Sequence, residues 1–269
     1  MAKVWLVTGA NRGLGLALAQ AAQRRGDIVV ATARDAASIK GSFEHALRLD
    51  VRDQETVDVA VDEAVRTHGR IDVLVNNAGH GLAGVAEELT DDDLRTVLDV
   101  NLLGVLRVTR AVLPHMRARG RGHVVQMSSV GGVVANPGHA AYGTSKFALE
   151  GFSEAVSGEV APWGIRVTIV EPGPFRTDFA GRSMRFASAN EAYAGTPAGR
   201  VRQKFADQDG HQPNDPDRAA QIILDAVDDP ASPLRLPLGP EAVDRIRAKL
   251  TSQLADLDRC EATVRDTRF

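Results

Sequence analysis

The amino-acid sequence predicts an α/β fold, a doubly wound parallel sheet with helices on both faces, and three observations point there. Short apolar runs alternate with amphipathic stretches along most of the chain. The apolar runs are rich in Val, Ile and Leu without clean two-residue alternation, as in strands buried on both faces. The length, 269 residues of which 43% are hydrophobic, suits one large sheet domain with ample material for a core.

The elements follow in order. Val4–Val7 reads as the first strand and runs into the glycine turn Thr8-Gly9-Ala10-Asn11-Arg12-Gly13-Leu14-Gly15, with a helix expected from near Gly13. Ile28–Ala33 and Ala46–Leu49 read as the second and third strands. In Gln54–His68, Val57, Val61 and Val65 recur every fourth residue among Asp58, Asp62 and Arg66, which predicts a helix with one wet and one buried face. Ile71–Val75 is the fourth expected strand, closed by Asn76-Asn77-Ala78-Gly79. Thr90 caps the next helix, and Asp91, Asp92 and Asp93 suit its positive end. That helix is expected to run through Asn101 toward Met116, with a kink or early end at Pro114. Val124–Met127 and Arg166–Val170 read as strands on either side of a helical Ala140–Val160. Beyond Pro172-Gly173 the pattern loosens. The stretch 176–216 is long, polar and broken by Gly, Pro, Ser and Asn, as expected of a lid or mobile loop. Helical texture returns at Asp217–Val227 and Pro240–Leu257. No repeat or domain boundary interrupts the chain, so 1–269 is expected to be a single domain.

Composition narrows the partners. A net charge of -3 without a basic tract argues against nucleic acid and against an anionic membrane surface. No apolar segment approaches the ~18 residues of a membrane span. Met1-Ala2-Lys3-Val4-Trp5 enters an apolar run without signal-peptide architecture, so a cytoplasmic protein is expected. The single cysteine, Cys260, has no partner for an internal disulfide and is read as structural or inert, since free cysteines are commonly packed as small hydrophobes. No spacing of His, Cys, Asp or Glu suggests a metal site.

Two constellations carry chemistry. In the glycine turn, glycines allow a pyrophosphate to approach the backbone, and the following helix offers unpaired N–H groups to its charge. At the end of the second expected strand, where an acid would bind ribose hydroxyls, stand Ala33 and Arg34, with Arg12 as a second cation in the turn. Two guanidinium groups suit a 2′-phosphate, which predicts NADP(H) in preference to NAD(H), although Asp35 could neutralise Arg34 or cap the next turn. Farther along, Tyr142 and Lys146 stand four apart on one face of a helix, with Ser129 on the loop after a strand and Asn101 in the preceding long helix.

Together these motifs resemble the short-chain dehydrogenase/reductase family. The glycine turn has the family's T-G-x-x-x-G-x-G form, and Asn101, Ser129, Tyr142 and Lys146 match its Asn-Ser-Tyr-Lys tetrad; the likeness covers about Lys3 to Asp178. It implies a Rossmann-like fold and an oxidoreductase moving hydride between a nicotinamide and a carbonyl or secondary alcohol. By that resemblance Gly9, Asn11, Arg12, Gly13, Leu14, Gly15 and Arg34 meet the phosphates and ribose. Asp50 and Val51 meet the adenine, Asn77, Ala78 and Gly79 support the adenosine side, and Pro172, Gly173, Phe175 and Thr177 hold the nicotinamide end. Tyr142 becomes the general acid and base, its pKa lowered by the Lys146 ammonium and the oxidised nicotinamide. Ser129 bonds the substrate oxygen, and Lys146 also bonds the ribose of the cofactor. Asn101 holds a water that links Lys146 to solvent, so it counts with Tyr142 and Lys146 on the cofactor side as well. Family members assemble as dimers or tetramers through the helices carrying Asn101 and Tyr142, which implies a homo-oligomer.

Gln126 departs from the Asn found in many relatives and is expected to act structurally. Val133, His139, Phe175, Phe179, Met184 and Phe186, with Arg176, Arg182 and Arg185, are the expected pocket residues, and His80 lies near them. Their mainly apolar character favours an apolar aldehyde, ketone or alcohol as the small-molecule substrate. Two alternatives use the same fold: a catalytically silent NADP(H)-binding sensor or scaffold, and an epimerase or dehydratase.

Overall fold

The computed structural model describes residues 2–267. Nine strands and eight helices are described: β1 Val4–Thr8, α1 Gly13–Arg24, β2 Ile28–Ala33, β3 His45–Arg48, α2 Gln54–His68, β4 Val73–Asn76, β5 Gly81–Ala83, α3 Asp91–Leu98, α4 Gly104–Arg119, β6 Gly122–Met127, α5 Ala140–Val160, β7 Ile165–Pro172, β8 Met184–Phe186, α6 Val201–Gln208, α7 Pro216–Asp228, β9 Arg235–Leu238 and α8 Pro240–Val264. Seven strands form one parallel sheet in the order β3-β2-β1-β4-β6-β7-β9. The order reverses between β1 and β4, and a crevice at the carboxyl ends of strands beside such a reversal is where α/β sheets bind ligands.

Alternation is weak along β1 because both of its faces are covered. Trp5 and Val7 pack with α1 and α7, whereas Val4 and Leu6 pack with α2, α4 and α5. The helix ends follow local chemistry. Asp53 caps α2 by accepting from Glu55 N, and Thr90 and Asp93 cap α3 reciprocally.

Two expectations about the helices change. The helix through Asn101 is not continuous: a π-helical turn, Asp99–Leu103, separates α3 from α4 and carries Asn101. Nor does Pro114 end α4, which continues to Arg119 and stops at Gly120 with φ 62°. Pro114 lies on the exposed face, where the loss of one main-chain hydrogen bond is tolerated.

The loose stretch 176–216 also contains more structure than expected. β8 pairs in parallel with β5 as a separate two-stranded sheet, and α6 follows it. Three-residue strands are too short to leave a readable pattern. β9 was hidden for another reason: it carries Arg235 and Pro237, and it tolerates proline because it is an edge strand paired only with β7. Cys260 is exposed on α8, its thiol near Leu257 O at 3.4 Å, so the packed cysteine expected from sequence is overturned.

Candidate active site

A cleft of about 790 Å³ opens at the carboxyl ends of β1, β4, β6 and β7, within the range of small-molecule and cofactor sites. The turn after β1 forms its floor because β1 and β4 are tied together there. Thr8 Oγ1 accepts from Asn77 N and Ala78 N, each at 3.0 Å, while Asn77 Nδ2 donates to Thr8 O at 2.9 Å and Gly9 O at 3.0 Å. Gly9 and Gly13 adopt φ of 66° and 58°, a region that favours glycine. A Cβ on Gly13 would stand 3.6 Å from the Thr177 side chain, so the turn and the loop after β7 face each other closely.

Of the expected cofactor residues, Gly9, Asn11, Arg12, Gly13, Leu14, Arg34, Asp50, Val51, Asn77, Ala78, Gly79, Tyr142, Lys146, Pro172, Gly173, Phe175 and Thr177 line this cleft. Gly15 and Asn101 do not. Gly15 is buried beneath the turn, and Asn101 is buried behind it. A dinucleotide fits this arrangement: glycine backbone at a helix start, a cationic rim and a long cleft are the features its phosphates and rings require. Asp35 does not pair with Arg34. Its carboxylate accepts from Ala37 N at 3.0 Å and caps the next turn. Asp50, expected to face the adenine, is held by Arg52 at 2.6 Å, and that guanidinium keeps its carboxyl below the usual range. Arg48 and Arg52 line the rim as well and were not anticipated; the basic residues flanking the end of β3 were the available signal.

The proton-transfer residues converge on the same cleft. Ser129 follows β6, and its Oγ accepts from Gly131 N at 3.0 Å, which leaves the hydroxyl proton free to point elsewhere. Tyr142 and Lys146 lie one turn apart on α5. A Cβ on Gly131 would sit 3.3 Å from the Tyr142 ring and 3.4 Å from Ser129 Oγ, so both groups flank one point of backbone. Lys146 Nζ donates to Met127 O at 2.7 Å and lies 5.9 Å from the Tyr142 ring centroid.

Electrostatics here differ from the expectation. In the protein alone the Tyr142 hydroxyl is pushed up to about 12, mainly by burial, against the smaller opposing effect of Ser129. Burial likewise lowers Lys146 to about 8. The cost of removing these groups from water outweighs the opposing effects of Ser129 on Tyr142 and of Glu150 on Lys146. Asn101 is committed to protein partners: Oδ1 accepts from His80 N at 3.0 Å, and Nδ2 donates to His80 O at 2.9 Å and Ser145 Oγ at 3.0 Å. This side chain fixes the strand end next to α5. Gln126 acts structurally, its Oε1 accepting from Asn76 Nδ2 at 3.0 Å while the same amide donates to Thr109.

Phe175, Phe179, Arg182, Arg185 and His80 line the cleft as expected, and Phe205, Gln208 and Gln212 join them unanticipated. The Phe179 ring lies 5.7 Å from that of Tyr142. Other expected pocket residues turn elsewhere. Met184 packs with Ala83 and Val201, Phe186 and His139 stack on Phe205, Val133 packs against Ala242 and Ile246, and Arg176 bonds Gln212 O. No cluster of metal-ligating groups exists among the described residues, and none of their helices is long and apolar enough to cross a membrane.

Comparison with known proteins adds a separate line. The short chain dehydrogenase family matches residues 3–186. A short-chain dehydrogenase from Streptomyces avermitilis, known from its crystal structure, is 44% identical with a TM-score of 0.93, the match covering 100% of both chains. A 3-ketodihydrosphingosine reductase of Bacteroides thetaiotaomicron is 35% identical over 256 residues, 94% of each chain. A 3-ketoacyl-(acyl-carrier-protein) reductase from Brucella melitensis, solved with NADH, is 26% identical with a TM-score of 0.72, over 88% of this chain and 96% of that one.

Proposed function

The chain belongs to the short-chain dehydrogenase family, which makes it an oxidoreductase of small-molecule carbonyls or alcohols, and we propose that Tyr142 is its general acid and base and NADP(H) its preferred cofactor. One observation carries the reading: a single cleft joins the glycine turn to Ser129, Tyr142 and Lys146. When bound, the nicotinamide supplies or accepts the hydride. The protein's own residues manage the proton. Tyr142 Oη gives it to the carbonyl oxygen in reduction and takes it back in oxidation, while the Ser129 hydroxyl bonds that oxygen and holds it in place. The Lys146 ammonium stabilises the phenolate that proton transfer leaves behind, and it would hold the ribose of the cofactor.

Arg12 and Arg34, with Arg48 beside them, support the NADP(H) preference, because Asp35 is occupied in its turn and leaves Arg34 available to a 2′-phosphate. Phe175, Phe179 and Phe205 favour an apolar carbonyl, in keeping with the 3-ketodihydrosphingosine in the name of the Bacteroides relative. The chain acts as one domain, in which the stretch 176–216 covers the cleft. The side chains of Leu103 and Phe147, exposed near Asn101 and on α5, suit a homo-oligomer built on those helices.

The test is a pair of titrations and an assay. NADPH should bind at least tenfold tighter than NADH, worth about 1.4 kcal/mol; equal affinities would remove the NADP(H) preference. Tyr142→Phe should lower turnover of a carbonyl substrate by at least about 10²-fold while NADPH binding stays nearly intact. Retained turnover would rule out Tyr142 as the acid.

A further inference from the structure

Lys146 is buried, and among the described residues its Nζ donates one hydrogen bond, to Met127 O. An ammonium enclosed in this way loses hydration, which favours the neutral amine unless an opposite charge lies close. The same face of α5 supplies one. Tyr142, Lys146 and Glu150 follow one another at intervals of four residues, and Glu150 is buried as well. The glutamate and the turn that carries the lysine close around a shared point. A Cβ on Gly132 would lie 3.0 Å from Glu150 Cγ, 3.1 Å from Lys146 O and 2.7 Å from Ser128 Oγ. Neither carboxyl oxygen of Glu150 has a hydrogen-bond partner among the described residues. A buried carboxylate in that position needs a compensating charge.

The charged groups around Glu150 are Lys146 and Glu154 of α5, Glu171 of β7 and Arg235 of β9. Arg235 Nε stands 3.3 Å from Glu150 and 3.6 Å from Glu171, and the same guanidinium bonds Glu154. One guanidinium thus faces three carboxyl groups. Glu171, raised to about 7 by burial and then by Glu150, takes up part of that excess as a bound proton below that pH. Lys146 is the second cation that acts on Glu150. We propose that Glu150 is a positioning residue for the proton transfer: its carboxylate, one helical turn beyond Lys146, keeps that lysine charged inside the protein, so that Tyr142 faces an ammonium and not a neutral amine. This rests on the reading of Tyr142 and Lys146 as the proton-transfer pair. The charge state of the lysine has the matching direction: burial lowers it to about 8, and Glu150 opposes the fall. Without Glu150 the same burial carries Lys146 toward the neutral amine at physiological pH.

The experiment follows the lysine Cε resonances of isotope-labelled full-length protein against pH by NMR, with far-ultraviolet circular dichroism to verify folding. The other lysines are Lys3, Lys40, Lys204 and Lys249, so the resonance lost in Lys146→Arg identifies Lys146. Glu150→Gln should move its titration to lower pH by about 1 pH unit, the lower end of what a close opposite charge supplies. Glu150→Leu should do the same and guards against misfolding of the first variant, since apolar replacement of a buried charge is commonly tolerated. Glu150→Asp, which keeps the charge, should hold Lys146 closer to the parent. An unmoved titration in a folded neutral variant overturns the proposal, and so does a fall in Glu150→Asp as large as that in Glu150→Gln. In NADPH-dependent reduction of benzaldehyde, used as an apolar carbonyl probe, the alkaline fall in kcat should move to lower pH together with the resonance. A displaced resonance with an unmoved kcat profile would overturn the role in the reaction and place the fault in the Tyr142–Lys146 reading.

Discussion

Gly15 has no room for one added methyl group. A Cβ there would press on the Asn77 side-chain amide and stand 2.6 Å from the Gly9 carbonyl oxygen. That amide is the tie between the carbonyls of Thr8 and Gly9, so protein packing requires the glycine here. Gly15→Ala should therefore destabilise the fold by about 1–3 kcal/mol, the range for forced overpacking. In a chain of this size that lowers the melting temperature by roughly 2–4 °C per kcal/mol. A thermal melt indistinguishable from the parent would contradict this. Residue by residue, the sequence was most readable where a motif is local: the glycine turn, Ser129, and the Tyr142/Lys146 pair one helical turn apart. It was least readable for charge state. Nothing in the spacing of Tyr142 and Lys146 reveals that both are nearly buried, and burial is what sends the tyrosine up to about 12 and the lysine down to about 8.

Among the elements, α5, β7 and β9 meet at a buried acidic seam. Glu171 of β7 is wholly buried, Glu150 of α5 nearly so, and Arg235 of β9 approaches them at 3.6 and 3.3 Å. Burial, then repulsion from Glu150, raises Glu171 to about 7, and burial raises Glu150 too. A carboxyl whose pKa is raised on folding favours the folded state only while protonated. Its contribution is present below about 4.5, the unfolded value, and is lost as pH climbs through about 7. Glu171→Gln keeps the group neutral throughout, so the decline in melting temperature between those limits should flatten and the variant should melt above the parent at pH 8. A parallel decline in both proteins would show that the seam is uncoupled from folding. This seam could not be read from sequence because β9 could not: an arginine and a proline in four residues conceal a strand whose sole neighbour is β7.

For the molecule as a whole, the alternation of apolar runs and amphipathic segments was enough to specify the layered sheet, since strands buried on both faces and helices buried on one leave different periods. The same reasoning reads α7 and α8 but fails in the stretch 176–216 and at the cleft wall. Phe205, Gln208 and Gln212 reach the cleft from a helix and loop that carry no motif, while Met184, Phe186 and Val133 turn away into small clusters of their own. This covering stretch is held in part by main-chain pairing outside the seven-stranded sheet. β8 lies along β5, and Phe175 bridges to Asn214. Main-chain pairing is largely indifferent to side-chain identity. Substitutions at cleft residues outside the packed cluster, such as Arg185 and Gln208, can thus accumulate over generations without disturbing this pairing or how α5 presents its tyrosine. Such a protein can inherit its reaction unchanged while its diet of substrates drifts.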